Sequence, residues 1–179
     1  MIRDMSIRFL LLFVVIGFAG CATKEFPANT SNSAVLVIPK VHHNESLEQW
    51  VRRYIVVISK EDENGNMVDV EKVGLASDSS SFEVVGLEPG EYELSRMEWV
   101  GTSGWRAHSA MGEGYPLGIP VELKDGKATI LPYRFAMTQE SNGGGVTVWF
   151  NINLLEAGEK QALMNEVKIA PRSGQWSFD

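Results

Sequence analysis

The sequence contains one cysteine and three histidines, and this shortage excludes several kinds of site. Cys21 has no second cysteine for an internal disulfide and cannot build a cysteine-based metal cluster. His42 and His43 are neighbours, with Glu45 close by. Adjacent side chains on a strand point to opposite faces, and no third ligand has a recognisable spacing. We therefore predict no metal site, and we expect the two histidines to lie in a solvated loop.

Basic residues and catalytic signatures are also scarce. Lys and Arg number 16 against 23 Asp and Glu, which gives a formal net charge of -7. Nucleic-acid binding depends on clustered Lys and Arg, so we expect no nucleic-acid partner. No Gly-x-Ser-x-Gly surrounds the serines at 77–81, and the three glycines at 143–145 lack the Lys and helix of a phosphate loop. We predict neither catalysis nor a cofactor, and a hairpin turn at 143–145.

The sequence has no apolar run long enough to span a bilayer. The longest, residues 9–20, would make a helix of about 18 Å, which is short of the roughly 30 Å hydrocarbon core. Arg3 and Arg8 precede it and small residues end it, a pattern typical of a signal peptide. We therefore assign residues 1–20 to a signal peptide.

The run ends at Phe18-Ala19-Gly20-Cys21, which resembles the bacterial lipobox. The resemblance implies cleavage before Cys21 and acylation of its thiol and its new amino group. Several acyl chains would hold the protein in a lipid bilayer essentially permanently. Ala22 in place of Asp implies, by resemblance to enterobacterial lipoproteins, an outer-membrane anchor facing the periplasm or the cell surface. The alternative is an ordinary signal peptide and a free thiol.

Past the anchor, the composition predicts a tether, a β-domain and a helix. Residues 21–33 are polar and include Pro27, which favours a flexible lipidated tether. Residues 34–154 show mostly period-two hydrophobicity, and the continuous apolar runs at 34–38 and 54–58 indicate strands covered on both faces. Residues 155–179 are assigned to a C-terminal helix and tail, with the helix at 156–167. Its predicted apolar stripe consists of Leu155, Ala162, Leu163 and Val167.

Local residues predict two turns and one sheet edge. Asn64-Gly65 predicts a turn between strands at 54–59 and 67–73. Asp125-Gly126 predicts a type I′ hairpin that places Leu123 opposite Ala128 and Val121 opposite Ile130. Pro120 suggests a sheet edge. In the alternating segment 146–154, Trp149 falls opposite the apolar stripe, and is either covered by the C-terminal helix or exposed.

Residues 82–94, FEVVGLEPGEYEL, resemble the strand–turn–strand of transthyretin-like domains, which include carboxypeptidase regulatory-like and Cna B-type modules. The resemblance implies a Greek-key, transthyretin/Ig-like β-sandwich of seven or eight strands. Phe82, Val84, Tyr92 and Leu94 are expected to face the core, on either side of a tight turn at Pro89-Gly90. Modules of this kind are mostly structural or adhesive, so the motif predicts a fold and no activity.

Residues 101–118 are rich in glycine and have no regular period, yet they contain Trp105, Arg106, His108 and Tyr115. Long irregular connections in compact domains are often functional. Aromatic rings can stack on sugars or peptides, and Arg can bind a carboxylate, so these four are our candidate ligand-binding residues. The alternative is that the aromatic rings fold back over the core.

The function favoured by the sequence is a structural or protein-interaction module of the cell envelope, anchored to the lipid bilayer through acylated Cys21. A carbohydrate- or peptidoglycan-binding module that uses the loop at 101–118 is the alternative. A hydrolase using His108 has no recognisable partner residues in the sequence.

Overall fold

The computed structural model describes residues 24–46, 49–78, 80–101 and 114–179. Within these ranges two β-sheets pack face to face and one α-helix lies near the C-terminus, so the predicted all-β sandwich with a short C-terminal helix is confirmed. The strands are β1 Ala34–Asn44, β2 Arg52–Glu61, β3 Met67–Leu75, β4 Phe82–Leu87, β5 Gly90–Gly101, β6 Tyr115–Leu123, β7 Lys127–Ile130, β8 Tyr133–Ser141, β9 Val146–Leu154 and β10 Ser177–Phe178. The helix, α1, is Ala157–Ile169, and a 3-10 turn follows at Ser173–Gln175.

Sheet one contains β1, β4, β7, β8, β9 and β10, and sheet two has the order β3-β2-β5-β6. β1 pairs antiparallel with β4, and parallel with β7 along its first half and β8 along its second. The chain passes from β3 to β4 in sheet one and back to β5 beside β2, the non-sequential connectivity of Greek-key sandwiches. The described strands number more than the predicted seven or eight because Leu131-Pro132 divides β7 from β8 and because the two-residue β10 joins the edge.

Sheet one is covered on both faces by separate apolar clusters. The inner cluster, between the sheets, is built on Leu36, Ile38, Tyr54, Leu94 and Phe135. The outer cluster lies under α1 and includes Val35, Val37, Phe82, Ala128, Ile130, Leu163, Val167 and Trp176. Alternate β1 side chains enter the two clusters, which explains the continuous apolar run at 34–38.

The turn at Asn64-Gly65 joins β2 to β3 as an antiparallel hairpin, as predicted, and Gly65 has a φ of 82° there. The hairpin at 143–145 is confirmed between β8 and β9. The hairpin predicted at Asp125-Gly126 is wrong, because β6 pairs with β5 in sheet two and β7 pairs with β1 in sheet one. Gly126 does adopt the positive φ expected of the turn, at 67°. The turn therefore carries the chain between the sheets.

The motif at 82–94 also crosses between the sheets. Phe82 is buried in the outer cluster and Val84 packs against it, whereas Tyr92 and Leu94 belong to the inner cluster. All four side chains face apolar surroundings, but on opposite sides of sheet one. Pro120 lies on β6, the edge strand of sheet two, as predicted.

The described part of the predicted tether does not stand clear of the domain. Phe26 is fully buried in the outer cluster, and its backbone N–H donates to the Pro171 carbonyl over 3.0 Å. The Trp176 indole N–H donates to the carbonyl of Pro27, also at 3.0 Å. From Lys24 onward the chain is thus part of the folded unit, which differs from the flexible tether expected over 21–33. The physical reason is that a single aromatic ring in a polar segment completes the outer cluster.

Helix α1 starts close to the predicted position and buries Leu163 and Val167, and Leu155 before it is also buried. Ala162 is exposed, contrary to the predicted stripe. Trp149 is half-buried and belongs to neither cluster. In the described part of the chain, no helix is long and apolar enough to cross a membrane.

Candidate functional site

One end of the sandwich, which we call the loop end, gathers most of the unusual side chains. There β2 begins, β3 ends and β5 ends, with Arg52 opposite Gly101 and Tyr54 opposite Leu75, whereas β6 begins at Tyr115, opposite Met97 and four residues in from the end of β5. The connection predicted to bind a ligand, residues 101–118, leaves from this end. Trp105, Arg106 and His108 lie outside the described residues, as does Cys21. Tyr115 is the one candidate residue that the structure places.

Tyr115 opens β6 and its side chain is 64% exposed. Its ring meets Phe150 of β9 edge to face, with centroids 5.3 Å apart, and Phe150 in turn meets the buried Tyr54 at 5.8 Å. The rings of Tyr115 and Phe150 line a groove of about 400 Å³, together with Pro116, Asn151 and Ile152. We call it the aromatic groove. It lies between β6, the edge of sheet two, and β9 of sheet one, so it is open to solvent along its length.

A larger cleft, of about 690 Å³, lies on the other side of the loop end, beside the edge strand β3. Arg52 and Arg53 line it together with Tyr54, Leu75 and Asp78. The Arg52 guanidinium lies 4.1 Å from the centroid of the Trp99 ring, a cation–π contact that holds this cation at the end of the inner cluster. Burial raises the pKa of Tyr54, and Arg52 partly opposes that rise.

Next to the cleft lies a partly buried ionic cluster of two lysines and two carboxylates, in which Lys40 and Glu83 are buried and Asp78 is exposed to solvent. Lys40 is 1% exposed, and its ammonium contacts Asp78 at 2.6 Å and Glu83 at 3.2 Å and donates to the Ala76 carbonyl. Lys24, from the N-terminal segment, contacts the same Glu83 at 2.6 Å and Asp78 at 3.2 Å. The four charges balance, and the cluster fastens the N-terminal segment to the β3–β4 connection.

The electrostatics of the cluster favour its ionised form. Burial opposes ionisation of Asp78, but hydrogen bonds from Lys40, Ser80 and Lys24 outweigh it and hold the pKa of Asp78 far below its usual value. Burial likewise works against charge on Lys24, and its bonds to Glu83 and Asp78 raise its pKa nonetheless. Sequence patterns did not indicate this cluster. Its one signal was Lys40, a charge that directly follows the apolar run of β1 at 34–39.

His42 and His43 are in β1, not in a solvated loop, because the parallel pairing with β8 extends the strand to Asn44. His43 is exposed, whereas the His42 ring packs against Trp50 with centroids 4.9 Å apart. Burial, reinforced by the positive charge of Lys40, lowers the pKa of His42 to about 4. His42 is therefore neutral at pH 7. Its role in the described structure is packing.

A second network covers the outer face of sheet two. Arg96 donates to both carboxylate oxygens of Asp69, at 2.8 and 2.5 Å, and to Glu98 at 3.0 and 2.8 Å. Lys72 contacts Glu98 at 2.9 Å. The hydrogen bonds from Arg96 lower the pKa of Asp69 to about 2. These pairs join β3 to β5 across the intervening strand β2, so we interpret the network as structural.

Among the described residues, no group of three or more His, Cys, Asp or Glu side chains is arranged to hold a metal ion. The hydroxyls of Ser80 and Ser81 donate to carboxylates, of Asp78 and Glu166 respectively, each over 2.5 Å. These bonds tie the β3–β4 connection to itself and to α1.

Comparison with known proteins adds no identification: no family model matches the chain, and no curated protein sequence matches it.

Proposed function

We propose that this protein is a cell-envelope lipoprotein, anchored through acylated Cys21, whose β-sandwich binds a protein partner at the aromatic groove. The anchor is inferred from the Phe18-Ala19-Gly20-Cys21 sequence and the short apolar run before it. The observation that carries the binding role is Tyr115, an aromatic ring 64% exposed and braced by Phe150 in an open groove. Exposed, braced aromatic residues are characteristic anchors of protein interfaces.

The lack of a catalytic signature in the sequence supports binding over chemistry. The position of Tyr115 in the lining of the aromatic groove also supports it. Trp105, Arg106 and His108 lie outside the described residues and are candidates from the sequence alone. The proposed site is the aromatic groove.

The test is an affinity capture from detergent-solubilised membranes with the lipidated protein and a Tyr115→Ala variant. Leu154→Ala is the matched control, since Leu154 is 67% exposed at the end of β9 but does not line the groove. We expect Tyr115→Ala to capture about tenfold less of a specific partner, which is the usual effect of removing an aromatic side chain from an interface. Leu154→Ala should capture as much as the unmodified protein. Equal capture by all three proteins would exclude the groove.

A carbohydrate-binding module is the second candidate, and the exposed Asn151 amide beside the Tyr115 ring favours it. A ring that stacks on a sugar with a nearby amide for its hydroxyls is a common combination in glycan sites. Binding to purified peptidoglycan tests this candidate. Retention by Tyr115→Phe with loss in Tyr115→Ala would indicate stacking, whereas no binding by the unmodified protein would eliminate it.

A further inference from the structure

The N-terminal segment fixes the distance between the domain and its anchor. Lys24 is bound to Glu83 at 2.6 Å and to Asp78 at 3.2 Å, and Phe26 is fully buried. Cys21 precedes Lys24 by three residues. Consecutive Cα atoms are at most about 3.8 Å apart, so the Cα of Cys21 lies within about 11 Å of that of Lys24. The anchor therefore cannot hold the domain far from the bilayer.

Lys24 lies at one particular corner of the domain. Its partner Asp78 follows the end of β3 by three residues and lines the cleft with Arg52 and Arg53. This corner, which we call the anchor corner and define by Lys24, Arg52, Arg53, Asp78 and Glu83, therefore lies at the loop end, beside the edge strand β3. An anchor at Cys21 would bring the bilayer to this corner.

The distribution of charge over the domain favours the same orientation, with the anchor corner towards the bilayer. At the anchor corner Lys24 and Lys40 balance Asp78 and Glu83, and Arg52 and Arg53 are offset at the same end of the sandwich by Glu45 and Glu140, so this end is close to neutral. The opposite end, which we call the turn end, contains the β2–β3 turn, the start of β5 and the end of β6. Its acidic residues are Glu61, Asp62, Glu63, Glu88, Glu91, Glu93, Glu122 and Asp125, against Lys60 and Lys124. A negatively charged membrane surface therefore repels the turn end more strongly than the anchor corner.

We propose that the anchor corner faces the bilayer, with Arg52 and Arg53 against anionic headgroups and the turn end pointing away. This inference rests on the acylation of Cys21 in the proposed function. The short span from Cys21 and the charge asymmetry are independent of each other, and both select the same orientation. The occupant of this surface is the membrane itself. The aromatic groove, on the opposite β6/β9 edge, then opens sideways about four residues, or roughly 13 Å, further from the bilayer than Arg52.

This orientation restricts the partner at the aromatic groove. A protein whose contact surface lies close to the bilayer can reach it without displacing the domain. A flexible tether of the kind expected from sequence would leave every face equally available. Because the N-terminal segment is packed against the domain, the anchor fixes the orientation of the domain relative to the bilayer.

The test uses the lipidated protein in vesicles that contain an anionic phospholipid. Cys21 is the only cysteine and is blocked by acylation, so one introduced cysteine can be labelled selectively. The two label positions are Ser77→Cys, in the cleft, and Asn64→Cys, in the exposed β2–β3 turn. The ten residues of β2 separate these ends by about 30 Å. The readout is quenching of the label by a quencher attached to lipid headgroups.

We expect the label at position 77 to be quenched several-fold more than the label at 64. Insertion of ten Gly and Ser residues between Cys21 and Lys24 lengthens the span without altering the fold and should reduce the difference to the part that the charges alone produce. Replacing the anionic lipid by a zwitterionic one, or introducing Arg53→Glu, should reduce it. Equal quenching at both positions of the vesicle-bound protein, or stronger quenching at 64, would overturn the orientation.

Failure of the anchor gives a different result. Cys21→Ser should leave the protein in solution. If the unmodified protein also fails to associate with vesicles, or if Cys21→Ser remains bound to them, the acylated anchor itself is wrong and the orientation falls with it.

Discussion

At the scale of single residues, the most consequential side chain is Lys40, a cation buried at an inward position of β1. Its charge is met by Asp78 and Glu83, and Lys24 reaches the same two carboxylates from the N-terminal segment. Buried ion pairs contribute little net stability compared with apolar packing, but removing one partner leaves an uncompensated charge. The cluster therefore fixes the position of the N-terminal segment more than it stabilises the fold.

Lys40→Met should lower the free energy of unfolding by about 3 kcal/mol, because Glu83 and Asp78 keep only Lys24 as a cationic partner. The same substitution in a Glu83→Gln background should cost clearly less, since the buried charge is then gone. Lys160→Met, on the exposed face of α1, should change the stability by less than about 0.5 kcal/mol. Urea unfolding of five proteins (the unmodified protein, Lys40→Met, Glu83→Gln, the double variant and Lys160→Met) measures these differences. Equal losses with and without Glu83 would show that the ammonium acts through packing alone.

His42 provides a pH-dependent prediction at the same scale. Burial and the charge of Lys40 lower its pKa to about 4 in the folded protein, against about 6.5 in the unfolded chain. Between these values the unfolded chain binds a proton that the folded protein does not. The contribution of neutral His42 to stability is therefore complete above pH 6.5 and is lost as the pH falls towards 4.

The expected loss across that window is about 2 kcal/mol, since each pKa unit corresponds to about 1.4 kcal/mol and the partly exposed ring is screened by solvent. His42→Gln should lack this part of the pH dependence. The measurement is the free energy of unfolding at a series of pH values from 4 to 7 for both proteins. Parallel curves over the whole window would mean that His42 titrates normally in the folded state.

At the scale of elements, the sequence was sufficient wherever neighbouring residues determine the structure. Asn64-Gly65 correctly predicted the β2–β3 hairpin, because the turn and its two strands belong to one sheet. Asp125-Gly126 has the same local chemistry, yet β6 and β7 belong to different sheets. Period-two hydrophobicity shows that a strand has an apolar face, but not which strand or cluster that face meets. Turns that cross between sheets therefore remain indistinguishable from hairpins in a single sequence.

The candidate site was predictable to a similar degree. Tyr115 stood out in a glycine-rich segment, and it does lie exposed in a groove. Its brace, Phe150, comes from a distant strand, and the contact depends on how the two sheet edges meet, which local patterns do not encode. The ionic cluster combines residues from the N-terminal segment, β1, β4 and the β3–β4 connection, and was missed for the same reason.

The composition of the N-terminal segment predicted a flexible tether, whereas the structure buries Phe26. A substitution of Phe26 distinguishes the two. Phe26→Ala should destabilise the protein by about 3–4 kcal/mol, the usual cost of removing a fully buried aromatic ring. Thr30→Ala, in the exposed part of the same segment, should be nearly neutral. Thermal unfolding of the two variants distinguishes a docked segment from a tether. A flexible tether would make both substitutions equally harmless.

At the scale of the whole molecule, the two apolar clusters share sheet one as a common wall. Val35 and Val37 belong to the outer cluster, while Leu36 and Ile38, between and after them, belong to the inner one. Any loss of β1 therefore disrupts both clusters. We conclude that the sandwich, α1 and the N-terminal segment form one cooperative unit, although the sequence suggested a sandwich at 34–154 with an appended helix.

This cooperativity predicts the effect of shortening the chain after Leu154. Removal of 155–179 would expose Val35, Val37 and Phe82, and complete burial of each such side chain stabilises a fold by about 1.5–3 kcal/mol. That sum is comparable to the whole stability of a domain, so the shortened chain should be unfolded or insoluble. Deleting Asp179 alone, which removes a surface ion pair with Lys127, should cost less than about 1 kcal/mol. Calorimetry of the complete folded unit should give a single transition. A soluble 24–154 chain with an unchanged melting temperature would show that the outer cluster is dispensable and that the sandwich is stable without it.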